Sequence, residues 1–304
     1  MMPSSATSQH PFFSIVIPTL NEEQYLPKLL EDLVKQTYKK FEVIHVDAES
    51  NDDTVKKASK FTNQLQLKSI LSTQKSVGHQ RNLGSQAAKG EWIIFMDADN
   101  RLPDHFLQGI KYQIDKRKDV DAFTCWLDTK SYQTTYQPAI QLINFGVSLL
   151  KSEAFGAMLG IKAELISKYN FSEKQKFCED IALVKELNKD GYNFVCFRDP
   201  KYFTSPRRFE KEGLAKMTTS AIEARLRMLF NDDLENFDKY PMLGGAYYED
   251  NNKAKSNQKV IGQSNNTHLV SLIDKLESFL SKASKKQLSR AKKLWSFVTN
   301  EEDA

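Results

Sequence analysis

"EWIIFMDADN", residues 91–100, holds an unbroken apolar run from Trp92 to Met96 that ends on two carboxylates one residue apart, Asp97 and Asp99. Glu91–Met96 reads as a strand, a short apolar run bounded by turn residues and buried. Its abrupt ending leaves two alternatives. Either the acids close a solvent-facing turn, where Asp and Asn are favoured anyway, or they hold a cation against something anionic. Mg2+ takes oxygen ligands, commonly one or two carboxylates completed by phosphate oxygens. Two acids flanking one residue can face such an ion together.

The same pattern repeats outward from this stretch. Phe12–Ile17 is β-branched and aromatic and stops at Pro18, a strand. Asn21–Gln36 carries Leu26, Leu29, Leu30 and Leu33 at helical spacing. Phe41–Val46 and Leu65–Leu71 read as strands, and Asp53–Phe61 as a helix. Gly78–Lys89 reads as a helix that Gly90 closes as a C-cap. Pro103–Lys116 is helical, and Asp121–Trp126 is a strand. Strands alternating with helices predict a mostly parallel sheet covered on both faces. Ligands of such sheets bind outside the carboxyl ends of the strands. Three segments stand there: Pro18-Thr19-Leu20-Asn21-Glu22, Asp47-Ala48-Glu49-Ser50 and Asp97-Ala98-Asp99. All are polar and rich in carboxylate, and they are expected to converge on one edge.

The second half is less regular. Tyr136–Lys151 reads as a helix, Gly156–Ile161 as extended, Glu179–Lys189 as a helix, Tyr192–Arg198 as a strand and Leu214–Phe230 as a helix. The expected organisation is a flexible 1–11, one α/β domain over 12–248, a polar linker over 249–266 and a basic amphipathic helical tail over 267–304.

Composition excludes several classes. The net charge of +4 is mild for 304 residues, and no basic run with interleaved aromatics points to nucleic acid. The three cysteines form no C-x-x-C pair, which argues against zinc and a disulfide framework and fits a reducing cytosol. Met1–His10 lacks the apolar core of a signal peptide, and no window is long enough to span a bilayer. A cytoplasmic protein is expected, in peripheral contact with the inner face of a membrane if the tail binds it. Between Lys253 and Val298 ten Lys or Arg stand against two Asp or Glu, beside an apolar stripe with Trp295 and Phe297. Such a helix either packs on protein or lies on an anionic membrane.

Other candidates also carry two readings. Asp47, when ionised, only accepts hydrogen bonds. It serves a turn, or meets a base edge bearing N–H donors (uracil, thymine or guanine). Asp52 suits a helix N-cap. In "KSVGHQRNLG", residues 75–84, Arg81 is either a surface arginine or a phosphate or base ligand. In "FCEDIAL", residues 177–183, Glu179 and Asp180 open a helix as the macrodipole favours, and one of them also suits a general base. Adjacent Arg207 and Arg208 in "SPRRFEKEG", residues 205–213, either clamp a diphosphate or lipid-linked phosphate or decorate a solvated turn.

Taken in order, "SIVIPTLNEEQYLPKLLEDLVKQTYKKFEVIHVDAESNDDT", "VGHQRNLGSQAAKGEWIIFMDADN" and "CEDIAL" resemble glycosyltransferase family 2 over roughly residues 12–210. The resemblance implies the GT-A fold, a mixed, mostly parallel sheet flanked by helices, here with a C-terminal helical appendage. It implies inverting transfer from a nucleotide-diphosphate sugar (UDP, dTDP or GDP) to a glycan or lipid-linked acceptor, with Mg2+ or Mn2+ as cofactor. Pro18, Thr19 and Glu22 are implied at the nucleoside, Asp47 at the base and Arg81 along the donor nucleotide. Asp97 and Asp99 match the D-x-D pair, the first near the ribose and the second on the metal. Asp180 matches the catalytic base, supported by Glu179, and Gly156–Gly160, "GAMLG", the segment under the donor sugar.

Three departures stand out. The family often reads Asp-Asp-Gly-Ser where this chain has Asp47-Ala48-Glu49-Ser50. Some GT-A enzymes add a metal-ligating histidine after the E-D segment, and the only later one here is His268. The Gln-x-x-Arg-Trp motif of processive synthases is missing, which favours single transfer, in cell-surface glycan or glycolipid assembly. The rivals are a polyprenyl-phosphate sugar synthase, for which Asp180 is dispensable, and a non-catalytic nucleotide-sugar binder. A nucleotidyltransferase would need a Gly-rich N-terminal phosphate loop, which is absent.

Overall fold

The structure, a computed structural model, describes residues 10–134, 136, 137, 140, 141, 143, 144, 157–175, 178–213, 244, 245 and 247. The chain divides into two units, Met1–Glu249 and Asp250–Ala304, and the second lies wholly outside the described residues. The expected helix at 214–230, the linker and the amphipathic tail therefore fall outside them too.

The run from Trp92 to Met96 is a strand, β4, with all five residues buried. Beside it lies β1 (Phe13–Thr19), then β2 (Phe41–Asp47) and β3 (Leu67–Leu71), all parallel. On the other side β7 (Met158–Lys162) runs antiparallel to β4 and to β6 (Ala122–Leu127). β8 (Phe194–Thr204) is parallel to β6, and the two-residue β5 (Asn100–Arg101) pairs antiparallel with it. The order is β3-β2-β1-β4-β7-β6-β8-β5, the expected mixed, mostly parallel sheet.

Two apolar clusters cover its faces. Phe13, Ile15, Ile17, Trp92, Ile94 and Met96 pack against α1 (Leu26–Lys35) and α4 (Phe106–Lys116). Val16, Ile93 and Phe95 pack on the opposite cluster, which includes Leu183, Val184 and Leu187 of α6 (Glu179–Lys189). Burial on both faces is why these strands read as continuous apolar runs rather than alternating ones. Further helices among the described residues are α2 (Thr54–Ser59), α3 (Val77–Ala87), α5 (Ala163–Ile166) and α7 (Arg207–Glu212), and most of the helix expected at Tyr136–Lys151 lies outside them.

Several boundaries move for physical reasons. The helix expected from Asn21 begins at Leu26, because the preceding amides are used elsewhere. Asn21 N donates to Ser50 Oγ, Glu22 N to Thr54 Oγ1 and Glu23 N to Asp52 Oδ2. Gly90 is not the C-cap of α3; Ala88 is, in extended conformation. Gly90 instead lies against β1, donating its N–H to Ser14 Oγ, and an added Cβ would meet Ser14 N at 2.7 Å. β8 runs on to Thr204, well past the expected end at Arg198.

That extension matters for the site. Pairing of Asn100 with Thr204 and of Arg101 with Phe203 brings the turn after β4 against the end of β8. The chain also reverses its direction of sheet growth between β1 and β4, so their carboxyl ends flank the crevice where α/β sheets take ligands.

Candidate active site

Thr19, Asp47 and Asp97 stand at or just past the carboxyl ends of β1, β2 and β4, and the three carboxylate-rich segments do meet at one edge. Asp47 is buried there and heavily engaged. Its Oδ1 accepts from Thr19 Oγ1 at 2.8 Å and Ser50 Oγ at 2.6 Å, and Oδ2 accepts from Ser50 N at 2.8 Å. The turn role is thus fully expressed in Asp47. Glu49 takes φ +56, the left-handed region that favours the glycine of the resembled Asp-Asp-Gly-Ser pattern.

Behind Asp47 sits His45, fully buried, with Nε2 2.8 Å from Thr19 Oγ1 and Nδ1 3.1 Å from Ser69 Oγ. Thr19 gives its proton to Asp47, so the imidazole donates from Nε2 and accepts from Ser69. Burial pushes His45 down to about 4, outweighing the pull of Asp47. From the other side Gln80 Nε2 of α3 donates to both Thr19 O and Val46 O, tying the ends of β1 and β2. His45 and Gln80 were missed in the sequence. A polar residue interrupting "FEVIHVD" was the available signal.

One turn of α3 past its Ser76 cap, Arg81 is neither on the surface nor open to the crevice. Its side chain is 3% exposed, with Nη1 2.5 Å from Glu179 Oε1 and Nη2 3.1 Å from Asp97 Oδ1. Its guanidinium also lies 5.2 Å from the centre of the Phe171 ring. Arg81 therefore couples the D-x-D turn to the start of α6. There Cys178, at φ +59, turns the chain so that Glu179 and Asp180 open the helix. Asp180 Oδ2 is buried without a hydrogen-bond partner. Burial, and then the charge of Glu179, push the Asp180 carboxyl up to about 7 against the opposing pull of Arg81.

The D-x-D turn is held from below by the residue just before β7. Ala157 O accepts from Asp97 N at 3.0 Å and from Asn100 Nδ2 at 2.7 Å. Gly156, which opens the "GAMLG" segment, lies outside the described residues, and Gly160 serves packing against the Phe123 ring.

Asp99 faces Arg207. Arg207 Nε lies 3.1 Å from Asp99 Oδ2, and its two terminal nitrogens lie 2.8 and 2.7 Å from Glu22 Oε2 and Oε1. Tyr25 stacks beneath the guanidinium at 4.3 Å. The solvated-turn reading of this arginine is corrected: it sits in a helix with its side chain 12% exposed, because β5–β8 pairing carries it onto the D-x-D turn. Glu22 is buried and pushed up to about 7 by desolvation despite Arg207. Both of its oxygens are already committed to Arg207, where the resemblance implied a nucleoside contact.

A short segment closes over Glu22. Gly245 N donates to Leu20 O at 2.9 Å, and Tyr247 Oη donates to Glu212 Oε1 at 2.7 Å. A Cβ on Gly245 would lie 2.1 Å from Asn21 O and 2.9 Å from Glu22 Oε2. No sequence signal marked Gly245 as part of the site.

Among the described residues no group of three or more His, Cys, Asp or Glu is arranged to hold a metal. Asp97 and Asp99 are the carboxylates available to a divalent cation. Asp97 uses Oδ1 for Arg81 and keeps 40% of its side chain exposed, whereas Asp99 is 12% exposed. Two carboxylates with phosphate oxygens completing the shell is how Mg2+ is commonly bound, so the donor set fits such an ion held jointly with a diphosphate.

A doubly covered, mostly parallel sheet with acids gathered past β1, β2 and β4 defines a GT-A-type α/β protein. The family model described as Glycosyl transferase family 2 matches residues 14–169, and the chain belongs to that family. A poly(ribitol-phosphate) beta-N-acetylglucosaminyltransferase, TarS, of Staphylococcus aureus is 38% identical over 108 residues, covering 34% of this chain and 19% of the relative. A PGL/p-HBAD biosynthesis glycosyltransferase of Mycobacterium tuberculosis is 38% identical over 94 residues, covering 30% of this chain and 37% of the relative. The matched region is thus a minor part of each relative's length. Among solved structures, S. aureus TarS 1–349 in complex with UDP superposes with a TM-score of 0.53 at 25% identity, over 75% of this chain and 68% of that one. A mannosyltransferase from Pyrobaculum calidifontis, in complex with GDP-Man and Mn2+, shares the fold with a TM-score of 0.62 at 16% identity, over 95% of this chain and 81% of that one.

Proposed function

We propose that the chain transfers a sugar from a nucleotide-diphosphate sugar, UDP-linked first among UDP, dTDP and GDP, to an acceptor hydroxyl with inversion. The observation that carries this reading is the buried, unpartnered Asp180 Oδ2, on a carboxyl poised at about 7, linked through Glu179 and Arg81 to Asp97. A general base works best when its pKa lies near the working pH. The acceptor oxygen forms a bond to the anomeric carbon, its proton passes to Asp180, and the bond from that carbon to the diphosphate breaks. Glu179 and Arg81 hold Asp180 and Asp97 in fixed relation. Asp97 and Asp99 are the residues that would hold Mg2+ or Mn2+, which as a Lewis acid stabilises charge on the departing diphosphate.

The fold, the family and the UDP complex of TarS support a nucleotide-sugar donor. The S. aureus relative, by its name a poly(ribitol-phosphate) beta-N-acetylglucosaminyltransferase, supports a polyhydroxylated polymer as acceptor, and cell-surface glycan or glycolipid assembly is the setting proposed. No helix among the described residues is long and apolar enough to cross a membrane. Action in the cytoplasm, with residues 267–304 in peripheral contact with the inner membrane face, remains part of the proposal.

The test is a thermal-shift panel of UDP-, GDP- and dTDP-sugars with and without Mn2+, on the native chain and Asp99→Asn. A ligand that binds only the folded state raises its stability with the logarithm of saturation. A metal-dependent shift for one base, lost in Asp99→Asn, is expected. No shift for any donor would contradict the reading.

A further inference from the structure

Arg207 is a cation already seated between two acids. Three of its nitrogens lie 2.7 to 3.1 Å from Glu22 Oε1, Glu22 Oε2 and Asp99 Oδ2. Asp99 Oδ1 in turn accepts from Thr204 Oγ1 at 3.3 Å. Each oxygen of Asp99 is therefore already engaged once, and the acid assigned to the divalent ion is charge-paired from within the chain. Asp97, its neighbour in the D-x-D pair, keeps much of its side chain exposed and uses only one oxygen for Arg81. The two acids are thus unequal toward an incoming ion. A guanidinium and a divalent ion competing for the same carboxylate oxygen in a poorly hydrated site repel strongly.

We infer that Arg207 is a resident counter-ion that withholds Asp99 from divalent cations until the donor's diphosphate is present, making cation and donor binding mutually dependent. The inference rests on the proposed metal-assisted reading and adds a residue that reading does not need. Without Arg207, Glu22 and Asp99 face each other across an uncompensated gap, which costs a few charge-assisted hydrogen bonds and attracts any small cation. With the donor, phosphate oxygens complete the ion's shell and give the guanidinium an alternative anion. Such coupling is reciprocal by thermodynamic necessity: Mn2+ must raise UDP affinity by the factor that UDP raises Mn2+ affinity.

The experiment is calorimetric titration of Mn2+ into the full chain, with and without UDP, for the native protein, Arg207→Gln and Arg207→Lys, with circular dichroism confirming the fold of each. Without UDP, Arg207→Gln is expected to bind Mn2+ on the order of tenfold more tightly than the native chain, the scale of one lost charge-assisted bond. Adding Asp99→Asn to that variant should remove the gain. UDP should raise Mn2+ affinity more in the native chain than in Arg207→Gln. Arg207→Lys, whose single ammonium cannot fork across both acids, should fall between the two, and it decides the matter if Arg207→Gln does not fold. If the variants bind Mn2+ no more tightly than the native chain while all bind it with UDP, the counter-ion role is overturned and the metal reading stands. If no form binds Mn2+ even with UDP, both fall.

Discussion

Arg81 and Glu179, 98 residues apart in the chain, meet as a buried ion pair with Nη1 2.5 Å from Oε1, and the same guanidinium reaches Asp97. This contact joins the D-x-D turn to the start of α6. Removing one partner of a buried pair leaves the others charged and unpaired, at a cost of about 3–5 kcal/mol. Arg81→Ala should lower unfolding free energy by about that amount in urea titrations, and Arg81→Lys, lacking the fork, should recover only part of it.

Asp180 sets a pH profile. Its folded pKa is raised to about 7, so the carboxylate able to accept a proton accumulates as pH rises through that value. The rate of donor hydrolysis, with water as acceptor, should climb through about pH 7 and level off above it. A rate flat from pH 5 to 8 would remove Asp180 from the role of base.

His45 acts on stability instead. Its folded pKa, about 4, lies below the ordinary value of 6.5. Between those values the unfolded chain binds a proton that the folded chain refuses. The stability is therefore fully present above the unfolded value and is lost as pH falls toward the folded one. Glu22 and Asp180, with raised values, push the other way in part of this window. Comparison with His45→Asn isolates the imidazole. The native chain should lose about 2 kcal/mol more than the variant between pH 7 and pH 5 in parallel denaturant titrations.

Gly245 tests the segment that lies against Leu20–Glu22. Its missing Cβ admits Asn21 O and Glu22 Oε2 at distances no side chain allows. Gly245→Ala should displace that segment and weaken the UDP-induced thermal shift, with Asp180-dependent pH behaviour unchanged.

What was legible in the sequence followed from short-range patterning. β4 announced itself as an unbroken apolar run and β1 and β2 as β-branched and aromatic stretches with few polar interruptions, because both faces are covered, and Glu179–Lys189 was read to the residue. The acids after β1, β2 and β4 were visible for the same reason, as abrupt ends to buried runs. What was not legible depends on pairing at long range. β5 is two residues without alternation, yet its register with β8 is what delivers Arg207 to Glu22, 185 positions away. Arg81 and Arg207 were weighed as surface or phosphate-facing groups because a sequence does not say which carboxylates share a turn. The late start of α1 was hidden likewise, since Asn21, Glu22 and Glu23 spend their amides on the loop after β2.

The central claim, that Asp180 takes the acceptor's proton beside a nucleotide-sugar site, is tested most directly by Asp180→Asn. Hydrolysis of the UDP-sugar selected by the thermal-shift panel would be followed in the native chain and the variant, with UDP binding measured on both. The account predicts unchanged UDP affinity and a rate lower by about 10²–10⁴-fold, the usual contribution of a positioned general base. A variant that binds UDP normally and hydrolyses the donor at the native rate would contradict it.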